Sequence, residues 1–374
     1  MSKILLINPI QLDDGIFGTD LYPPIGLAQL STHYKNKGWE VELWDQQIPQ
    51  TYKIDKNHKP DKIGISVMIG QPLRTALQLS KRYHKWGIPI VWGGAVARIT
   101  PYLVPDFVEI DPNYYDEFPD YDILDMNLYE PAIYTSTGCN FRCSFCYHNK
   151  DQEFKTQTLE EVMHHVSILN KRFGIKSFKV MDDNFFTDKD RAIAILNEFK
   201  REGYKIRQVH SNINCFNDDV VNACKGVVNK VGISIEHGEP SVRKELFNKP
   251  MKEERILELV DNFNKLGIST IHNFIFGSPA WQLDLANFKL ADKIREINPQ
   301  ARLVGFSYAS MPETPLTKQI EEAYGEFPKT LEFWQDFIME KINIKYNPWT
   351  DTQIATNIDE MTKLFNDKYG AKHD

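Results

Sequence analysis

The chain opens on a short apolar run, Lys3–Asn8 (KILLIN), which ends at Asn8-Pro9 and predicts a buried strand closed by a turn. Ile25–Lys37 has helical spacing, with Leu27, Leu30 and Tyr34 on one face, and Gly38 stands where a left-handed cap would end the helix. Trp39–Asp45 alternates like a strand, and Lys62–Met68 is a further apolar strand. Pro72 opens a helix that runs to about Trp86 and stops at Gly87, and Ile88–Trp92 is a strand ending in Gly93-Gly94. Strand and helix alternating at this spacing predict a parallel sheet covered by helices. Ligands of such sheets bind at the carboxyl ends of the strands, here Asn8-Pro9, Ser66 and Gly93-Gly94.

Residues 111–130 break the pattern. They are acidic, aromatic and proline-rich, and predict a packed connector after a last short strand at Phe107–Ile110. A second alternating series follows. Its candidate strands are Ala132–Ser136, Ser177–Met181, Ile206–His210, Lys230–Ile235, Thr270–Phe276 and Arg302–Tyr308. Helical stretches at about 158–173, 188–202, 217–224, 252–266 and 281–296 separate them. Six such units predict a partial (βα)6 barrel. The fold class is therefore α/β: a Rossmann-like domain over 1–110, the connector, a partial barrel over 131–315 and a helical extension over 316–374, interrupted at Pro348-Trp349.

A net charge of −7, with 44 basic against 51 acidic side chains, argues against nucleic acid as the partner. No stretch has the roughly 18 apolar residues of a membrane span, and the first residues lack the pattern of a secretory leader, so the expected location is cytoplasmic. Five cysteines, three of them within eight residues, do not fit a disulfide framework; in a reducing compartment clustered thiols bind metal.

Those three lie in TGCNFRCSFCYH, residues 137–148, spaced Cys139-x-x-x-Cys143-x-x-Cys146 directly after the first barrel strand. Thiolates this close in sequence can wrap one face of an iron–sulfur cubane, and three ligands leave one iron open where an electron-transfer ferredoxin supplies four. The competing reading is a structural zinc site with His148 as fourth ligand, although Cys146-x-His148 is tight for zinc. A zinc-stabilised binding protein and an electron-transfer protein are the matching functional alternatives. Cys215 and Cys224 are isolated and read as core residues.

The Cys-x-x-x-Cys-x-aromatic-Cys loop, with Phe145 as the aromatic, resembles the radical S-adenosylmethionine superfamily. The resemblance implies a 4Fe–4S cluster on Cys139, Cys143 and Cys146, S-adenosylmethionine chelated at the fourth iron, and a 5′-deoxyadenosyl radical after one-electron cleavage. It implies Tyr147 against the adenine, and extends over residues 131–320. Val180–Phe186 (VMDDNFF) resembles the segment beside the methionyl group, which makes Asp182 and Asp183 candidates; the alternative is that they cap a helix. Glu236 matches the carboxylate ending the fourth strand, with His237 beside it as proton donor or as support. Asn273–Pro279 resembles the Gly-x-Pro stretch near the nucleoside, marking Gly277 and Pro279, although Ala280-Trp281-Gln282 follow where the family has Gly-Glu. Phe306–Leu316 resembles the segment ending in Pro-Gly-Thr-Pro, with Glu313 in place of the glycine.

The domain order, with Pro23–Leu27, Ser66 and Gly93-Gly94, resembles the cobalamin-binding class of these enzymes, which places a nucleotide tail along Ser66, Gly93 and Gly94. Two departures stand out: the loop after Asn8 lacks the Asp-x-His-x-x-Gly motif, and the stretch beyond Ile110 is truncated. The resemblance implies methyl transfer to an unactivated carbon of a small molecule or peptide. With the first domain as a mere scaffold, it implies dehydration, cyclisation or rearrangement instead. Either chemistry needs an electron donor such as flavodoxin or ferredoxin.

Overall fold

In the computed structural model, residues 1–10, 21–48, 59–113, 115–147, 153–338 and 342–370 are described. The chain divides into two compact units, Met1–Glu130 with Phe327–Ile338, and Pro131–Glu326 with Met339–Asp374. The stretch 316–374, read from the sequence as one extension, is thus shared between them, and the connector packs with the first unit.

The first unit holds β1 (Lys3–Asn8), α1 (Ile25–Asn36), β2 (Glu40–Asp45), β3 (Lys62–Ser66), α2 (Gln71–His84), β4 (Ile90–Gly93), α3 (Gly94–Ile99) and β5 (Glu109–Ile110). Its sheet has the order β2-β1-β3-β4-β5, all parallel. Because β1 is flanked on both sides, Ile4, Leu5, Leu6 and Ile7 are all buried, which is why this strand is continuously apolar. Ile4, Leu6, Leu27 and Val41 form a core that α1 closes with Leu30 and Tyr34. Asp120 in the connector accepts from the Ser31 hydroxyl and pairs with Lys35, tying the connector to α1.

The second unit runs β6 (Ala132–Ile133), β7 (Ser136–Thr137), β8 (Lys155–Thr156), α4 (Leu159–Phe173), β9 (Ser177–Val180), α5 (Lys189–Glu202), β10 (Lys205–His210), α6 (Asp218–Ala223), β11 (Lys230–Gly232), α7 (Glu253–Lys265), β12 (Ser269–Phe276), α8 (Leu285–Ile297), β13 (Arg302–Ser307), α9 (Pro315–Tyr324) and α11 (Thr352–Tyr369); the short α10 (Leu331–Trp334) belongs to the first unit. Six strands pair in parallel in the order β13-β12-β11-β10-β9-β6, the sequential order of a partial βα barrel. Local chemistry sets the helix ends. Thr158 and Glu161 form a reciprocal capping box on α4, Asp188 caps α5, and Gly174 and Gly203 close them in the left-handed region. The expected helix at 281–296 starts later, at Leu285, after a 3-10 turn over Trp281–Leu283.

His272, in the middle of β12, is buried and satisfied on both ring nitrogens, by the Ile233 carbonyl and the Thr270 hydroxyl. Burial pushes His272 and His165 down to about 4. Because their folded pKa values are depressed, the unfolded chain takes up the protons first. The stability they allow is complete above about 6.5 and drains away as the pH falls towards 4. The expected loss at pH 5 is on the order of 2 kcal/mol per histidine. Urea midpoints at pH 7.5 and 5.0 check this, and equal midpoints would refute it.

Candidate functional site

The three cysteines lie on the loop that leaves β7, at the carboxyl end of the first barrel strand, and all are partly exposed. Its path is held from three directions. At the entry, Gly138, in the left-handed region at φ 79°, donates its N–H to Asp183 Oδ2 at 2.9 Å. Around Cys143, the Ser144 N–H reaches the Phe247 carbonyl at 3.0 Å, the Ser144 hydroxyl bonds the Leu246 carbonyl, and Asn248 donates to the Arg142 carbonyl at 2.7 Å. Leu316 N–H closes onto the Ser144 carbonyl at 2.9 Å, and Phe145 stacks edge-on against Phe247 at 5.1 Å.

Asp182 and Asp183 act through this loop. Asp182 is fully buried and accepts three bonds of 2.6 Å, from the Thr135 N–H, the Thr135 hydroxyl and the Ser136 hydroxyl. Burial pushes its pKa up, and these donors oppose the shift. Both oxygens are engaged by the strand before the cysteines. The cap of α5 is Asp188, so neither residue caps that helix; both hold the turn that leads into the cysteines. Arg191 completes the brace by donating to the carbonyls of Gln157 and Thr135.

Asn184, next in line, donates to Cys215 Sγ at 3.3 Å. Cys215 and Cys224 are buried, as core thiols. Burial likewise pushes Cys139 up, and Cys143 to about 11, in the latter against the pull of the neighbouring Lys249 ammonium.

That lysine, which the sequence reading missed, forms a buried ion pair with Glu236 at 2.7 Å and donates to the Ser234 carbonyl at 2.6 Å. Glu236 itself sits at φ 73°, a costly conformation for a side-chain-bearing residue and a recurrent mark of functional sites. Arg243, also missed, fixes the intervening segment. Its buried guanidinium donates to the carbonyls of His237, Gly238 and Met251, and its own carbonyl accepts from the Lys249 N–H. Nothing in the RKELFNKP run marked either residue, because their partners are mostly main-chain carbonyls.

His237 supports the fold beside the site. Its Nδ1 accepts from the Glu239 N–H at 2.9 Å, so Nε2 carries the proton and donates to Asp284 at 3.1 Å. The second oxygen of Asp284 takes the Gly277 N–H at 2.6 Å. Gly277 is needed for packing: a Cβ there would stand 2.4 Å from the Ile342 side chain, and its carbonyl already accepts from the Trp349 indole. Pro279 follows, half-buried, and the Tyr147 ring is buried. His148, the proposed zinc ligand, lies outside the described residues. At the end of β13, Tyr308 OH, Ser310 Oγ and Asn347 Oδ1 are buried, with no hydrogen-bond partner of good geometry among the described residues.

In the first unit, Ser66 and Gly93 pair at the carboxyl ends of β3 and β4. Gly94 has φ 80°, and a Cβ on it would meet Val67 N at 2.9 Å. Glycine at this position suits the tight β4–α3 turn, where Val67 bonds both Gly93 and Val96.

Among the described residues no three His, Cys, Asp or Glu side chains converge to hold a single metal ion, and no helix is long and apolar enough to cross a membrane. The donor set fits an iron–sulfur cluster: three thiols on one braced loop and no fourth ligand from this loop among the described residues.

Comparison with known proteins agrees with this architecture. Residues 133–284 match the radical SAM superfamily, and residues 18–110 match the B12 binding domain. An uncharacterised methyltransferase of Pyrococcus horikoshii is 32% identical over 171 residues, 43% of this chain and 37% of the relative. The cytidylyl-2-hydroxyethylphosphonate methyltransferase of Streptomyces wedmorensis is 30% identical over 151 residues, 39% and 28% of the two chains. The match thus spans about a third of these relatives' length. Two structures of the radical S-adenosylmethionine methyltransferase TsrM from Kitasatospora setae share the fold. The form with cobalamin and a [4Fe-4S] cluster has TM-score 0.65 at 17% identity, covering 86% of this chain and 78% of that one. The form with tryptophan and a SAM analogue has TM-score 0.68 at 16% identity, covering 86% and 76%. This chain carries a B12-binding domain followed by a radical SAM domain.

Proposed function

We propose that the protein is a cobalamin-dependent radical S-adenosylmethionine enzyme that transfers a methyl group to an unactivated carbon of a small-molecule or peptide substrate. The observation that carries the reading is the braced three-thiol loop at the carboxyl end of a six-stranded parallel sheet, in a chain that also has a B12-binding domain. Cys139, Cys143 and Cys146 would hold the 4Fe–4S cluster, and the Ser66 and Gly93 strand ends would face the corrinoid. When bound, the cluster supplies the electron that cleaves S-adenosylmethionine, and the corrinoid carries the methyl group.

The chain's own side chains position and shield. Asp182 and Asp183 shape the loop before the cysteines. Lys249 occupies Oε1 of Glu236 and so turns the other carboxylate oxygen to a hydroxyl or ammonium group of the nucleoside or substrate. Tyr308, Ser310 and Asn347 offer two hydroxyls and one acceptor, all buried, to a polar ligand group. The reading places the protein in a reducing compartment, the cytoplasm, with flavodoxin or ferredoxin as electron donor.

Anaerobic reconstitution tests it. Reduction in the presence of S-adenosylmethionine should release 5′-deoxyadenosine, and protein incubated with hydroxocobalamin should keep a corrinoid spectrum through gel filtration. No nucleoside release removes the radical chemistry. Release without retained corrinoid leaves a radical enzyme that is not a cobalamin-dependent methyltransferase.

A further inference from the structure

The sheet order of the first unit changes direction between β1 and β3, and in open parallel sheets the ligand crevice lies outside the carboxyl ends at that point. The β3–α2 loop, residues 67–70, is one wall of this edge. It is held by a piece of chain far away in sequence. Phe327–Ile338 packs with the first unit, although the 196 residues from 131 to 326 belong to the second. The Trp334 carbonyl accepts the Gly70 N–H at 3.2 Å. The Phe337 carbonyl approaches Gly70 so closely that a Cβ there would stand 2.4 Å from it, and Gly70 has φ 85°. Asp336 pairs with Arg74 in the first turn of α2, both about half exposed. Phe327, Phe333, Trp334 and Phe337 stack on one another, and the Trp334 indole bonds the Pro328 carbonyl at 3.0 Å, which gives the strap its shape.

We propose that this strap is part of the corrinoid-binding apparatus: by clamping the β3–α2 loop from outside, it sets the position of one wall of the cobalamin seat. The inference rests on the proposed function, since it presumes that the first unit binds cobalamin. Trp334 and Phe337 are buried, so the strap acts by positioning the loop, and its two handles are the Arg74–Asp336 pair and the glycine at 70. A flat macrocycle needs a wall at fixed distance, and a loop with no side chain at its tightest point has little stiffness of its own.

The test uses the full-length chain and hydroxocobalamin, with the dissociation constant read from the visible spectrum and limited proteolysis reporting whether the strap is released. Asp336→Arg sets two like charges together and should weaken binding about fivefold; the swapped pair Arg74→Asp with Asp336→Arg should return it to within about twofold of the native value. Gly70→Ala, which pushes the strap off, should weaken it about tenfold. Circular dichroism confirms that each variant is folded. A released strap with unchanged affinity overturns the proposal, and so does tighter binding, which would make the strap an obstruction. A native chain that retains no corrinoid removes the proposed function and this inference with it; native binding with insensitive variants removes the inference alone.

Discussion

A Cys143→Ala chain is expected to fold as the native one does and to lose its iron and sulfide, where the reconstituted native protein holds about four of each per chain. Cys143 lies between two residues that are clamped to 246–248. Two thiolates cannot hold a cubane against loss to solvent. Of the remaining thiols, Cys224 is buried at the carboxyl end of α6, and Cys215 is buried and engaged by Asn184. Cys224→Ala is the control and should keep a full cluster. The check is metal and sulfide analysis with the visible absorption of the cluster. Normal iron content in Cys143→Ala, or one zinc and no sulfide in the native chain, would end the cluster reading.

The second large effect is expected at Asp182. Its carboxylate accepts from the Thr135 N–H, which lies buried with the Thr135 and Ser136 hydroxyls around it. Removing it in Asp182→Ala leaves buried donors unpaired, at about 1–3 kcal/mol each and not fully additive, so the second unit should lose roughly 3–5 kcal/mol. Asp182→Asn keeps an acceptor and the shape, and should lose less than half as much. Because the loop it braces leads into Cys139, cluster occupancy should fall in the same order. Denaturation curves and iron content measured on the same preparations give the answer; an alanine variant as stable as native would show that the brace is not needed.

These two sites also show what could be read from the residues alone. Apolar periodicity located β1, α1, α2, α4, α5, α7 and β12 within a residue or two, because each buries one stripe or is buried on both faces. The first barrel strand came out shorter than its pattern, at Ala132–Ile133, since the Thr135 N–H is spent on Asp182 instead of a neighbouring strand. The cysteines were legible because thiol spacing is local. Their supports were not: Asp182 and Asp183 act on residues 45 to 47 positions away, and Arg243 and Lys249 bind mostly carbonyls, which every residue has. Gly94 and Gly277 both have positive φ and stand where a Cβ would meet the chain closely, a conformational need that the sequence marks by the glycines themselves.

The route of the polypeptide through its two units has a consequence for biosynthesis. A ribosome finishes residue 130 long before it reaches Phe327, the start of the segment that completes the first unit. At on the order of 5–20 residues per second, the nascent amino-terminal segment waits about 10–40 s with its Gly70 edge bare. Its maturation is therefore tied to emergence of the barrel, and any factor that loads or guards that edge has this interval in which to act.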